Sequence, residues 1–463
     1  MENTQKAELF ERTPIPKAVL TLSIPTILSS LVMVLYNLAD TYFVGMLQDP
    51  IQNSAVTLAA PVLLAFNAVN NLFGVGSSSM MSRALGAKDY DTVRRSSAFG
   101  FYCALISGVL FSVLATVFRT PLLALLGADQ ATTQPTMEYM RWTVTCGAAP
   151  AILNVVMAYL VRSEGATLHA SIGTMSGCAL NIVLDPIFIL PWGLNMGAAG
   201  AGLATFLSNC VACLYFFVLL FVRRGKTYVC LQPAMARPRR EVVTGVFGVG
   251  VPASIQNLLN VTGMTVLNNF TAAFGPDAIA AMGIAYKINM IPMYITMGVS
   301  QGLMPLVSYN YGSGNVPRLK KAVQFAAKIS LAFMAVVSVS YFFASGTLIG
   351  LFMKTEAVVA YGSQFLRRMC IAQPFLCLDF LAVGVFQACG LGHYALLFAI
   401  LRKIVLEIPA LYILNYFFHL YGLACAQAVA EVVLAAAAVV ILVRLFRRMT
   451  AEGTPLQYRA EKK

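Results

Sequence analysis

Long apolar blocks constrain this chain more than anything else in it. Most exceed the ~18 residues that a helix needs to cross a hydrocarbon core of ~30 Å. In lipid every backbone polar group must find its partner within the element, which leaves helices or closed barrels. The blocks are continuous rather than alternating segments of ~10 residues, so helices are expected. Only 11% of the 463 residues are charged and 59% are hydrophobic. A soluble domain carries ~25% charged residues, so this composition cannot coat a globular surface of this size. The expected fold class is all-α integral membrane, with twelve transmembrane helices as two parallel-repeat six-helix bundles.

The spans are expected at about 17–46, 54–82, 95–118, 137–161, 168–191, 197–222, 241–272, 277–306, 318–350, 359–390, 393–418 and 420–446. Lys and Arg retain cytoplasmic loops. The amino terminus, the even-numbered connections and the carboxyl terminus hold 26 of the 32 Lys and Arg residues. The odd-numbered side has Arg119, Arg141, Lys354, Arg367 and Arg368, and Lys287 lies inside a span. Both termini are therefore expected in the cytoplasm of a multi-pass plasma (inner) membrane protein. The net charge of +13 has this topological explanation, and no nucleic-acid partner is expected. The amino-terminal MENTQKAELFERTPIPK lacks the short apolar core of a cleavable signal.

The halves repeat at a shift of about 225 residues. Pro25 answers Pro252; Gly76, Ser82 and Gly86 answer Gly302, Ser308 and Gly312; Gly165 answers Gly390; and IVLD (182–185) answers IVLE (404–407). Six helices per half is an even number, so both halves enter from one side and are parallel repeats about an axis along the membrane normal. The expected divisions are an amino-terminal segment 1–16, a lobe 17–222, a solvated basic linker 223–240, a lobe 241–446 and a basic tail 447–463. An alternating-access transporter needs such duplication; a receptor or membrane enzyme does not.

Charges are costly in hydrocarbon, by about 3 kcal/mol or more, so acids inside spans are functional candidates. Asp40 lies late in the first span. Asn181 and Asp185 are four apart on the fifth and share a face. Pro186 follows, removing a backbone donor. Asn154 and Thr205 could complete an oxygen-rich cluster, which could share a proton between acids or coordinate a bare cation. The alternative is a set of structural hydrogen bonds. In the second half Asp379 answers Asn154, Glu407 answers Asp185, and Asn269 or a neighbour takes the place of Asp40. Lys287 is expected to neutralise one of these acids, and Glu431 is a weaker candidate. His169, His393 and His419 fall at turns. Ten cysteines, Cys210 and Cys213 among them, sit in apolar runs and read as small buried hydrophobes rather than a metal site. No Ser/His/Asp order, H-E-x-x-H or phosphate loop suggests an enzyme.

Pro25 with ADTYFVG (39–45), ALGAKDYDTVRR (84–95), NIVLDP (181–186) and Asp379 upstream of QACG (387–390) together resemble the multidrug and toxic compound extrusion family, in their order and spacing more than singly. The resemblance covers about residues 15–446. It implies a secondary exporter of small amphipathic, often cationic drugs, working by rocker-switch antiport against H+ or Na+, with no other cofactor and acting as a monomer in the lipid bilayer. It implies cation coupling at Asp40, Asn181 and Asp185, where Na+ could bind, with Asn154 and Thr205 as further members and Pro25 and Pro186 as hinges. Asp379, Glu407, Lys287 and Asn260 are second-lobe polar candidates for substrate; Asn260 stands where sodium-coupled relatives have a glutamate. A flippase for lipid-linked precursors shares the topology, but it would need several basic residues inside the spans, where only Lys287 is expected.

Overall fold

The structure is a computed structural model that describes residues 2–452, so most of the tail expected over 447–463 lies outside the described residues. Ten helices among these residues are long and apolar enough to cross a bilayer, and Thr133–Cys146 with Ala148–Ser163 forms a further span bent by 49°. The run Gly392–Ala451 has 60 residues, about 90 Å at ~1.5 Å per residue, too long for one crossing. It breaks at His419, where φ is 50° and ψ −137°, so it supplies two spans. Among the described residues the spans are then twelve. They are α1 (Ile15–Gly45), α2 (Pro50–Gly86), α3 (Tyr90–Val117), the bent α4, α5 (Thr167–Ile189), α6 (Ala198–Val222), α7 (Arg240–Ala272), α8 (Pro276–Gly312), α9 (Val316–Phe352), α10 (Glu356–Ala388), α11 (392–418) and α12 (420–452).

The helices gather into two compact units. One holds Leu28–Ser254 with the segment up to Leu9; the other holds Phe10–Ile27 with Ile255 onward. The first half of α1 thus packs within the second unit, and the first half of α7 within the first. Pro25 and Pro252, the matched prolines, each fall two residues before the chain passes from one unit to the other. Both lie inside helices, where each removes a backbone hydrogen bond and makes bending cheap.

Matched residues make matched contacts. In the first unit a Cβ on Gly76 would stand 2.4 Å from the Val246 carbonyl oxygen, and in the second a Cβ on Gly302 would stand 2.6 Å from the Ser23 Cα. Each glycine lets two helix backbones touch, the small-residue packing that replaces the hydrophobic effect in lipid. Ser82 donates to the Ser163 carbonyl at 2.6 Å, and Ser308 donates to the Ala388 carbonyl at 2.9 Å. Gly165 and Gly390 both take positive φ, 88° and 76°, at the turns into α5 and α11, a conformation that strains any residue with a Cβ.

The connection between α6 and α7 corrects the expectation of a solvated tether. Glu164, only 2% exposed, accepts from the Tyr228 N–H at 2.7 Å and from the Thr227 hydroxyl. Ser97 accepts from the Cys230 N–H at 2.8 Å, and Tyr102 donates to the Leu231 carbonyl at 2.8 Å. Tyr228 stacks on Tyr90, and burial, then Tyr90 and Glu164, raises its hydroxyl above the ordinary value. The stretch 227–231 is therefore docked within the first unit, and several of its backbone groups are satisfied by side chains that neither hydropathy nor charge singles out.

Candidate functional site

In the first unit, the late part of α1, the late part of α5 and the early part of α6 bring their polar side chains together. Asp185 is fully buried and Asn181 is 1% exposed; their spacing of four places both on the face of α5 turned inward. The Asn181 amide satisfies both its ends when its nitrogen faces Asp185: it then donates to Asp185 Oδ2 at 2.8 Å and accepts from the Thr205 N–H at 3.1 Å. The Thr205 hydroxyl is joined by a hydrogen bond to Tyr36. Asp40 is half-buried, and its carboxyl lies within electrostatic reach of Asp185, Tyr36 and Tyr139. Neither Asp40 nor Asp185 forms an ion pair with a basic side chain among the described residues. Two acids held near each other, with an amide and hydroxyls around them, have the donor set either to share a proton or to coordinate a bare cation.

Asn154 stands apart from this group. Its amide donates to the Pro150 and Ala151 carbonyls of its own helix and to Asn209 Oδ1 at 3.1 Å, so it ties α4 to α6 rather than reaching Asp185. Pro186 lies inside α5, one residue beyond Asp185.

The second unit arranges its acids differently. Arg402, 4% exposed, makes an ion pair with Asp379, and its Nε lies 3.3 Å from Glu431 Oε1. The guanidinium also stacks on Phe380, 5.0 Å from the ring centroid. Lys403 reaches both oxygens of Glu407, at 2.8 and 2.7 Å. Arg402, Lys403 and Glu407 share a π-helical stretch of α11, Leu401–Glu407. Nine residues of helix, Gly392–Ile400, precede it, about 14 Å at ~1.5 Å per residue, or nearly half the depth of a hydrocarbon core. These two basic residues correct three expectations. Arg402 and Lys403 are not part of the cytoplasmic charge bias; they, not Lys287, neutralise the acids; and Lys287 is not the sole basic residue inside a span. Lys287 is half-buried and makes no ion pair or hydrogen bond among the described residues. Asn260 is half-buried on α7, with no hydrogen-bond partner among the described residues. Asn269 is exposed and does not take the place of Asp40. The signal for Arg402 and Lys403 was present as two charges within an apolar run; the nearness of the α10–α11 turn masked it. All ten cysteines are free thiols.

The MatE family profile matches this chain twice, over residues 25–187 and 252–413, each match opening on one of the paired prolines. The chain is 34% identical over 449 residues to the multidrug export protein MepA of Staphylococcus saprophyticus, covering 96% of this chain and 98% of that protein. It is 33% identical to the protein of the same name from Staphylococcus aureus, with the same coverage. Among solved structures it is similar to a multidrug resistance MATE family transporter of the MOP superfamily in an outward-facing conformation, with a TM-score of 0.90 and 28% identity over 96% of this chain and 98% of that one.

Proposed function

The chain belongs to the MatE family of multidrug transporters, and from that premise we propose that it exports amphipathic, often cationic drugs from the cytoplasm in exchange for H+ or Na+. The coupling cation binds at Asp40, Asn181 and Asp185, with Thr205 fixing the Asn181 amide. The observation that carries this reading is the pair of acids in the first unit, Asp40 and Asp185, with no basic side chain paired to them among the described residues. Such a pair favours whichever conformation best admits a cation, and that differential affinity is what lets an ion gradient drive a conformational cycle. Drug would bind with the site empty, and cation binding would reset the protein. Pro25 and Pro252 would supply the bending points, and both termini would face the cytoplasm of the plasma membrane. The protein would act as a monomer.

A flippase for lipid-linked precursors gains nothing from the buried basic residues, because Arg402 and Lys403 are already held by three carboxylates. The test is ethidium efflux in inverted vesicles with Na+ and pH gradients imposed separately. One gradient is expected to drive wild-type transport and to fail with Asp40→Asn. Failure of both gradients to drive the wild type would end the antiport reading.

A further inference from the structure

Laying IVLE (404–407) on IVLD (182–185) places Glu407 on Asp185 and Lys403 on Asn181. Both pairs are joined across one helical turn. In the first unit the neutral Asn181 amide donates to the acid at 2.8 Å; in the second a lysine ammonium donates to the acid at 2.7 Å. The rest of the site changes with it. Laying Pro252 on Pro25 places Leu267 on Asp40 and Gly263 on Tyr36. Leu267 packs against an apolar cluster that includes Leu411 and Leu423, so the second acid is gone. A Cβ on Gly263 would stand 2.8 Å from Lys403 Cδ and 3.1 Å from its Nζ. The glycine gives the lysine stem its place across α7, where the first unit has a tyrosine ring.

We propose that the second unit carries a duplicate of the first unit's cation site whose cation is built into the chain as Lys403, so that only the first unit exchanges a cation with solution. The inference rests on the coupling role proposed for Asp40 and Asp185. An ammonium tethered one turn from Glu407 sits at an effective concentration that a dissolved cation does not match, and the buried pair excludes a competitor because opening it would strand two charges. Arg402 acts in the same way on Asp379. It also touches Glu431, and in this reading the one carboxyl of that triad in excess of the guanidinium stays protonated through the cycle.

The experiment counts cations exchanged per ethidium by the null-point method, using full-length protein in proteoliposomes with Na+ and pH gradients imposed separately. The wild type and the double variant Lys403→Met, Glu407→Leu are expected to exchange the same single cation, with ion dependence within about twofold. Lys403→Met alone leaves Glu407 without its ammonium, and its transport is expected to gain a second, cooperative cation dependence. If that variant does not fold, recovery of folding on adding Glu407→Leu reports the same unneutralised acid. The proposal is overturned by a wild type that exchanges two cations, by a double variant that loses a cation while still binding drug, by a folded Lys403→Met with wild-type ion dependence, or by a lower proton count in Glu431→Gln. A failure of the coupling reading itself shows separately, as wild-type transport indifferent to both gradients.

Discussion

Replacing Arg402 by methionine removes the cation that Asp379 and Glu431 share. All three side chains are at most 5% exposed, so water cannot take over. Breaking a buried ion pair by deleting one partner costs about 3–5 kcal/mol, because the remaining charge stays buried. The triad has two acids on one guanidinium, which puts the expected loss at the upper end, and lost stacking on Phe380 adds to it. At roughly 2–4 °C per kcal/mol, the midpoint should fall by about 10 °C or more. Heating detergent-solubilised protein at a fixed rate and following the monodisperse fraction by size exclusion reads this, with the rate held constant because unfolding is irreversible. The loss comes from stranded charge, so adding Asp379→Asn and Glu431→Gln to the same variant should restore most of it. A fall below about 3 °C in Arg402→Met, or no recovery in the triple variant, would refute the reasoning.

Further consequences are more local. Asp40→Asn should abolish ethidium efflux while surface expression stays at the wild-type level; unchanged efflux removes Asp40 from the coupling site. Gly302→Val should cost about 1–3 kcal/mol through overpacking against Ser23, seen as a lower thermal midpoint, whereas Gly248→Ala, with open space around its Cβ, should not. Gly263→Leu should push Lys403 off α7 and reproduce the gained ion dependence of Lys403→Met in the proteoliposome assay; wild-type behaviour would show that the glycine is not what seats the lysine. Glu164→Ala strips the acceptor from the Tyr228 N–H and the Thr227 hydroxyl, at about 1.5–3 kcal/mol. Trypsin cleavage after Arg224 and Lys226 should then quicken, and an unchanged rate would mean that other contacts hold the linker.

The twelve spans were legible because hydropathy in lipid is a direct physical requirement rather than a preference, and the repeat was legible because the same glycines and serines recur where helix backbones touch. What one helix contains was also readable, as with Asn181 and Asp185 on one face of α5. What joins different helices was not. Asn154 reads as a neighbour of Asp185 because its position is permissive, yet its amide is spent on Asn209 and on carbonyls of its own helix. Arg402 and Lys403 fall within the span expected over 393–418 yet count among the cytoplasmic charges by their nearness to a turn, and only the depth of the π-helical stretch Leu401–Glu407 shows them as buried partners of acids. The docked linker was hidden for a related reason: basic residues at 223–226 and 237–240 outweighed the apolar and aromatic stretch 228–231 between them.

Duplication followed by inequality has a physical logic here. A carboxylate at mid-depth must be neutralised in every state that lacks solvent contact. Neutralisation by a dissolved cation makes the state of the protein depend on that cation's gradient; neutralisation by a side chain on the same helix does not. Among the described residues Asp40 and Asp185 of the first unit form no ion pair, whereas Asp379, Glu407 and Glu431 of the second are each touched by Arg402 or Lys403. Exchanging Lys403 for Asn, the residue at the matching position 181, and Leu267 for Asp, the residue at position 40, should therefore move the second unit toward the first, giving transport that responds to two cations instead of one. Steeper dependence on the driving ion in that variant would show that these two side chains, a built-in cation and a missing acid, separate a structural site from a coupling one; wild-type steepness in a folded, drug-binding variant would show that the units differ for some other reason.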